Sequence, residues 1–429
     1  MITIYTDFES PRLTYICGHI FRTILGHELT ITTNDDEEAD IRYSERAKGS
    51  ALTIRPYGIL NEDGIREQTI SGIDWDGLPA FFATEGDIPF DLFSAAFYLL
   101  SRYEEYTSKI TDKHGRFTVQ ESAAFQLHFL EEPIIDLWAN KLASMLPRIG
   151  APGNPPTFTF IPTIDVDNVF AFRNRGILGT LFCLFKDYIQ GKKRLYRLRL
   201  KVALHRQEDP YFNLKEVAEA HRGLKQKPYF FFHCGCFGEK DKRVIFPSIR
   251  YKKVRREIDN DVVAGLHPSY HASRQGWRFK LENKALVRCL GRETKHNRFH
   301  YLRFTLPTSY EKLIQQGFET EWSLCYSDNP GFRASTSFPF RFFNLTTNQE
   351  RPLTIYPTAV MDKSLKKNLM LSTEKSKEYI KVLEDKVKSV NGTFITLFHN
   401  EHLTDEMDWE GWKKLYQETL DAHKEQGEK

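Results

Sequence analysis

Four apolar runs along the chain stop abruptly at short polar clusters. Residues 158–164 lead into Asp165-Val166-Asp167, residues 262–266 into His267-Pro-Ser-Tyr-His271, residues 322–326 toward Gly331-Phe-Arg333, and residues 393–398 into His399-Asn400-Glu401. Runs this short and this continuous predict strands buried on both faces. Residues 229–232 have the same character. Helical spacing of apolar positions fills the intervals: 214–224, with Asn213 as cap and Glu216 in the capping-box position, then 283–289, 309–316 and the lysine- and glutamate-rich 372–390. Residues 409–424 read as a last, outer helix. Strand and helix patterns that alternate in this way predict βαβ units, whose polar strand ends converge on one mouth.

The Gly/Pro-rich stretch 150–156 cannot continue a helix or a central strand and predicts a linker. Ahead of it, 11–25 has helical spacing with Ser10 as cap, 29–32, 41–43 and 52–54 read as short strands, and 89–106 and 133–146 as amphipathic helices. The expected organisation is a small α/β N-terminal domain over 1–149, a linker, and a larger α/β domain over 157–429. A chain of 429 residues exceeds what one core ordinarily fills. The first domain shows no catalytic constellation; Glu104, Glu105 and His128 read as solvated or packed.

Composition narrows the function classes. A net charge of +3 gives no global reason to expect a nucleic acid partner. The opening Met-Ile-Thr-Ile-Tyr-Thr lacks the basic region of an export signal, and no run approaches the roughly twenty apolar residues of a membrane span. Six scattered cysteines show no disulfide framework, so a reduced, cytoplasmic protein is expected. The basic run 192–201 is either a solvated amphipathic face or a contact for an anionic glycan or a membrane surface.

The polar clusters carry the chemistry. Alternate residues of a strand share a face, so Asp165 and Asp167 can point into one mouth, where two carboxylates repel unless a cation intervenes. With Pro268 at the first position of a helix, His267 and His271 would lie one turn apart and share a zinc-like ion. Other readings stand beside these: turn-capping aspartates, a structural salt bridge at Arg333, a packed histidine at 399. His233-Cys-Gly-Cys236 lacks a second Cys/His pair, and His300 or Arg303 either lines a cleft or is structural.

In these residues the chain resembles the polysaccharide deacetylases, the carbohydrate esterase 4 family. Thr163-Ile-Asp-Val-Asp167 is similar to the family's first motif, His267-Pro-Ser-Tyr-His271 to its second, Gly331-Phe-Arg333 to its third and Thr396-Leu-Phe-His399 to its last. Two departures stand out. Val166 separates aspartates that are usually adjacent, and Met361-Asp362 lies where a tryptophan-containing motif is expected. The resemblance implies a distorted (β/α) barrel. It implies Asp165 as general base, Arg333 as the arginine that orients it, and His399 as general acid. Asp167, His267 and His271 become ligands of one divalent cation, with Zn2+ the expected ion. A backbone N–H in the Ser269–Tyr270 turn would help to hold the oxyanion. The implied activity is removal of an acetyl group from an N-acetylated sugar, in a glycan or a glycan precursor. The alternatives are another metal-dependent amide or glycoside hydrolase and a non-catalytic glycan-binding or assembly protein.

Overall fold

The computed structural model describes residues 1–146, 154–173, 175–235 and 260–424, together with Asp241, Lys252, Arg256 and Ile258. Most of the expected linker lies outside the described residues, as does Cys236. Along the chain the strands are β1 (Ile2–Thr6), β2 (Leu29–Thr32), β3 (Ile41–Tyr43), β4 (Leu52–Ile54), β5 (Ile73–Trp75), β6 (Leu78–Ala80), β7 (Thr159–Val166), β8 (Tyr229–His233), β9 (Val263–His267), β10 (His296–Asn297), β11 (Thr320–Glu321), β12 (Phe340–Asn344), β13 (Gln349–Ile355), β14 (Val360–Met361) and β15 (Thr393–His399). Two compact units result. One comprises Met1–Phe160, Leu302–Val360 and Tyr379–Ile395, the other Ile161–Tyr301, Met361–Glu378 and Thr396–Lys429.

In the first unit a parallel sheet of order β2-β1-β3-β4 carries buried Ile2, Ile4, Ile41 and Ile54. Ser10 caps the helix Pro11–Cys17 by accepting the Leu13 N–H, and the chain continues as a π-helix over Gly18–Ile24. The helix Leu92–Leu100 is buried at every position rather than amphipathic; its cap, Asp91, accepts from the Ser94 N–H and the Tyr43 hydroxyl at 2.9 and 2.7 Å. A second set of strands in this unit has the order β12-β13-β11. No strand forms over the expected 322–326; the ladder stops just before it, at Thr320–Glu321. The Glu321 carboxylate accepts the Ser323 N–H at 2.9 and 3.0 Å, a local bond that competes with the ladder and turns the chain out of it.

The second unit is built on neighbouring strands β10-β9-β8-β7-β15-β14. β7, β8, β9 and β10 run parallel, which fits apolar runs covered on both faces. The fold is therefore mixed α/β with parallel sheets, and among the described residues no strand pairing closes the expected barrel. Register does the positioning. Asp165 lies opposite Phe231, Phe231 opposite Gly265, and His233 opposite His267. A Cβ on Gly265 would sit 2.5 Å from the Phe231 ring, so only glycine leaves that ring its place across β9.

Helices Gly176–Ile189, Lys193–Ala203 and Leu214–Ala220 lie between β7 and β8 in sequence, and Gly276–Leu290 between β9 and β10. Pro268 does not start a helix. A turn follows β9, and the helix begins only at Gly276, so His267 and His271 lack helical spacing. Asn213 occupies the cap position of the next helix without bonding to it; its amide donates to the carbonyls of Asn400 and Leu403, both at 2.9 Å.

Candidate metal centre

Asp165 sits on the last turn of pleat in β7 and Asp167 just beyond it, and both face His267 at the end of β9. The Nε2 of His267 lies 3.7 Å from Asp165 Oδ2 and 3.2 Å from Asp167 Oδ1. The other ring nitrogen fixes the tautomer: Nδ1 lies 2.6 Å from the Arg298 carbonyl, which can only accept, so Nδ1 carries the proton. In the neutral ring, Nε2 then turns its lone pair toward a carboxylate oxygen, a pairing that only a cation between them would favour. A backbone carbonyl that orients a histidine in this way is the usual outer partner of a metal-bound imidazole.

His233, one strand over on β8, repeats the arrangement. Its Nδ1 donates to the His267 carbonyl at 3.1 Å, which leaves a lone pair on Nε2. Among the described residues the Nε2 atoms of His267 and His233, Oδ1 of Asp167 and Oδ2 of Asp241 are buried without a hydrogen-bond partner. Each such atom costs about 1–3 kcal/mol when left unsatisfied, and four in one place demand a common partner. His300 stands among them. Its Nε2 is 3.5 Å from Asp167 Oδ2, and its Nδ1 is 3.0 Å from Asp241 Oδ1. Two sets of ligating atoms result, each gathered within 4.8 Å: Asp167, His267 and His300, and His233, Asp241 and His300. Nitrogen and carboxylate donors of this kind suit a divalent ion.

Without a cation, the carboxylates draw positive charge onto His300, which must lose a proton to become a ligand. Burial opposes charge on His300, yet Asp167 and Asp241 together outweigh it and raise the imidazole to about 9. Burial pushes His233 down to about 3, helped by the neighbouring His300 and His267. Asp167 is held well below the usual carboxylate range: burial opposes this, but the charge of His300 outweighs it.

The arginine beside Asp165 is Arg298. Its Nη1 reaches Asp165 Oδ1 at 2.9 Å and the Thr163 hydroxyl at 2.7 Å, and its guanidinium lies 4.5 Å over the Phe231 ring that Gly265 makes room for. Arg333, expected in that role, is engaged by Glu105, with Nε and Nη2 at 2.9 and 2.7 Å from the two carboxylate oxygens, inside a buried network with Arg102 and Glu104. It makes the structural salt bridge. His271 is half-buried in the turn, edge-on to the Tyr270 ring at 5.3 Å, and falls outside both sets of ligating atoms, each of which includes His300. The expected oxyanion donors are also occupied. Ser269 N–H donates to Glu282 at 2.7 Å and Tyr270 N–H to Asp241 at 3.1 Å. Arg303 donates to the His114 carbonyl at 2.8 Å, a structural use.

His399 ends β15. Its Nδ1 donates to Asp362 Oδ1 at 2.9 Å and its backbone N–H to Oδ2 at 2.8 Å, while His402 Nδ1 takes Oδ2 at 2.8 Å. Both oxygens of Asp362 are thus filled by donors, so this carboxylate orders two imidazoles and needs no ion. Burial opposes charge on His399, but Asp362 outweighs it, with Asp167 and Asp165 adding to the pull, and the imidazole rises to about 10. The loops that bear acid and ligand are tied together: the Asn400 amide donates to the Asn168 carbonyl at 2.9 Å, and the Asn168 amide to Glu401 at 2.6 Å. Sequence reasoning missed Arg298 and Asp241, and left His300 as a cleft or structural residue where the structure puts it among atoms able to ligate an ion. Arg298 and His300 follow β10, which is two residues long and gives no apolar run to mark it.

Residues 2–150 match a family of unknown function, DUF7033. No curated protein matches the sequence. Among solved structures, the chain is similar to one from Mycobacterium smegmatis assigned as a polysaccharide deacetylase, at 12% identity and a TM-score of 0.40, over 62% of this chain and 84% of that one. A chain from Pseudomonas aeruginosa PAO1, also assigned as a polysaccharide deacetylase, matches at 10% identity and a TM-score of 0.37, over 64% and 90%. Puue allantoinase matches at 11% identity and a TM-score of 0.35, over 64% and 89%.

Proposed function

We propose that this protein is a metal-dependent hydrolase that removes the acetyl group from an N-acetylated sugar. The observation that carries the reading is His267 Nε2 held 3.2 Å from an Asp167 oxygen, both atoms buried and neither hydrogen-bonded among the described residues. A cation is the partner these atoms lack. Asp167, His267 and His300 would hold it, and the mixed nitrogen and oxygen donors favour Zn2+. Bound there, a divalent cation supplies a Lewis acid that activates water and polarises an acyl oxygen.

The chain's own groups divide the proton work. Asp165, fixed through Oδ1 by Arg298, keeps Oδ2 on the His267 side, where it takes the proton from the attacking water. His399, protonated through its bond to Asp362, gives a proton to the departing amine nitrogen. A carboxylate base together with a protonated imidazole acid is what amide cleavage at neutral pH needs. The deacetylase-like motifs support the substrate class.

The test measures bound metal and acetate released from an N-acetylhexosamine oligomer on the same preparations. Wild type should carry metal and release acetate. His267→Ala should lose both, and Asp165→Asn should keep the metal while losing at least a hundredfold in kcat. Metal content unchanged in His267→Ala, with activity intact, refutes the assignment.

A further inference from the structure

The helix Gly176–Ile189 exposes an apolar stripe that the catalytic reading leaves unused. Ile177, Leu178, Phe182 and Tyr188 are 83%, 84%, 68% and 73% exposed, and Leu181 and Phe185 stand beside them at 57% and 62%. At 100° per residue all six fall within an arc of about 140° on one face. They bare on the order of 1,000 Å² of largely apolar surface, well beyond what soluble monomers ordinarily leave uncovered. On the other side of the helix, buried Asp187 receives the Arg199 guanidinium at 2.7 Å, which pins the stripe outward.

The next helix, Lys193–Ala203, is its electrostatic complement. Leu198 and Val202 anchor it in a small core with Phe172, while Lys193, Arg194, Arg197 and Lys201 stay exposed on one side. Residues 175–207 hold nine Lys/Arg and one acid, Asp187, which is buried and paired. A helix of 14 residues is about 21 Å long, too short to cross a bilayer of about 30 Å, and among the described residues no helix is long and apolar enough to do so. An apolar face with cations alongside suits a helix that lies in the headgroup boundary of an anionic membrane.

We propose that the 176–203 hairpin docks this protein on an anionic lipid bilayer, with the apolar stripe at the acyl boundary and the basic helix against the lipid phosphates. A second copy is a poorer occupant. A symmetric pairing through this surface would press two basic helices together, whereas an anionic surface neutralises them.

Flotation of the full chain with vesicles tests this without reference to catalysis. Wild type should float with vesicles of phosphatidylcholine and phosphatidylglycerol, and at least tenfold less with phosphatidylcholine alone or at high salt. The triple variant Leu178→Asp, Phe182→Asp, Phe185→Asp changes exposed positions only; it should keep its circular dichroism spectrum and lose flotation. Lys193→Glu with Arg197→Glu should bind at least tenfold more weakly. Phe182→Trp should shift its emission to the blue when anionic vesicles are added. Failure of wild type to float with anionic vesicles at low salt overturns the proposal. Flotation unchanged in the triple variant does so as well, as does a concentration-dependent dimer that Phe182→Asp abolishes while no vesicle is bound.

Discussion

Asp362→Asn tests the acid side of the proposed site most directly. The Asp362 carboxylate accepts from His399 Nδ1 and from the His399 N–H, and its charge is what lifts this buried imidazole from 6.5 to about 10. Asparagine keeps an acceptor oxygen of similar size but removes the charge. Burial then dominates, and the imidazole falls back to 6.5 or below. At pH 8 a group of pKa about 10 is almost fully protonated, whereas one at 6.5 is about 3% protonated, so the loss from ionisation alone is roughly 30-fold. At pH 6 the same variant should lose only a few-fold. Rate that depends on a protonated acid is lost as pH rises through that acid's pKa, so the alkaline limb of kcat/KM should move about three and a half units or more toward acid. A bound cation acts on both proteins alike, which makes the displacement between the two profiles the measure. An alkaline limb that stays in place while the rate falls equally at all pH values would show that His399 is not the acid, and that Asp362 merely supports the loop.

Other outcomes follow from named contacts. Arg333→Ala should cost about 3 kcal/mol in a urea titration, because Glu105 loses one of two buried arginines, and the folded variant should keep its metal and its KM. Arg298→Ala should instead lower kcat at least a hundredfold, measured as acetate release, since Asp165 loses the group that fixes it. Gly265→Ala would set a Cβ 2.5 Å from the Phe231 ring; a loss of about 1–3 kcal/mol with a reduced kcat should result, read from thermal melts and turnover. Asp136, buried and accepting from Thr336 and Ser337, is raised by that burial from 3.8 to about 7. Unfolding lets it ionise, so its contribution to stability is present below pH 3.8 and is lost as pH climbs to about 7, by about 4 kcal/mol in all. Urea midpoints of wild type against Asp136→Asn across that window should differ by this slope, and parallel curves would refute it.

The strands that build the site were legible because parallel strands covered on both faces must be apolar throughout, and a polar residue at their ends is then conspicuous. Asp165, Asp167, His267 and His399 all stand out this way, and the structure brings the two aspartates within 3.7 Å of the His267 imidazole. What stayed hidden depends on pairing between strands. The expectation for His271 rested on a helix after Pro268; a turn forms there instead, with Ser269 and Tyr270 bonded to Glu282 and Asp241. The expectation for Arg333 rested on its place in a motif, which says nothing about Glu105, 228 positions away in sequence. Arg298 and His300 follow a two-residue strand that no hydropathy pattern can mark. Register explains why they are nonetheless the residues that arrive. Asp165, Phe231 and Gly265 lie side by side across three strands, the missing side chain at 265 seats the ring, and the ring seats the guanidinium. The same register sets His233 beside His267, so the imidazoles come one from each strand end, and spacing along a single helix has no part in the site.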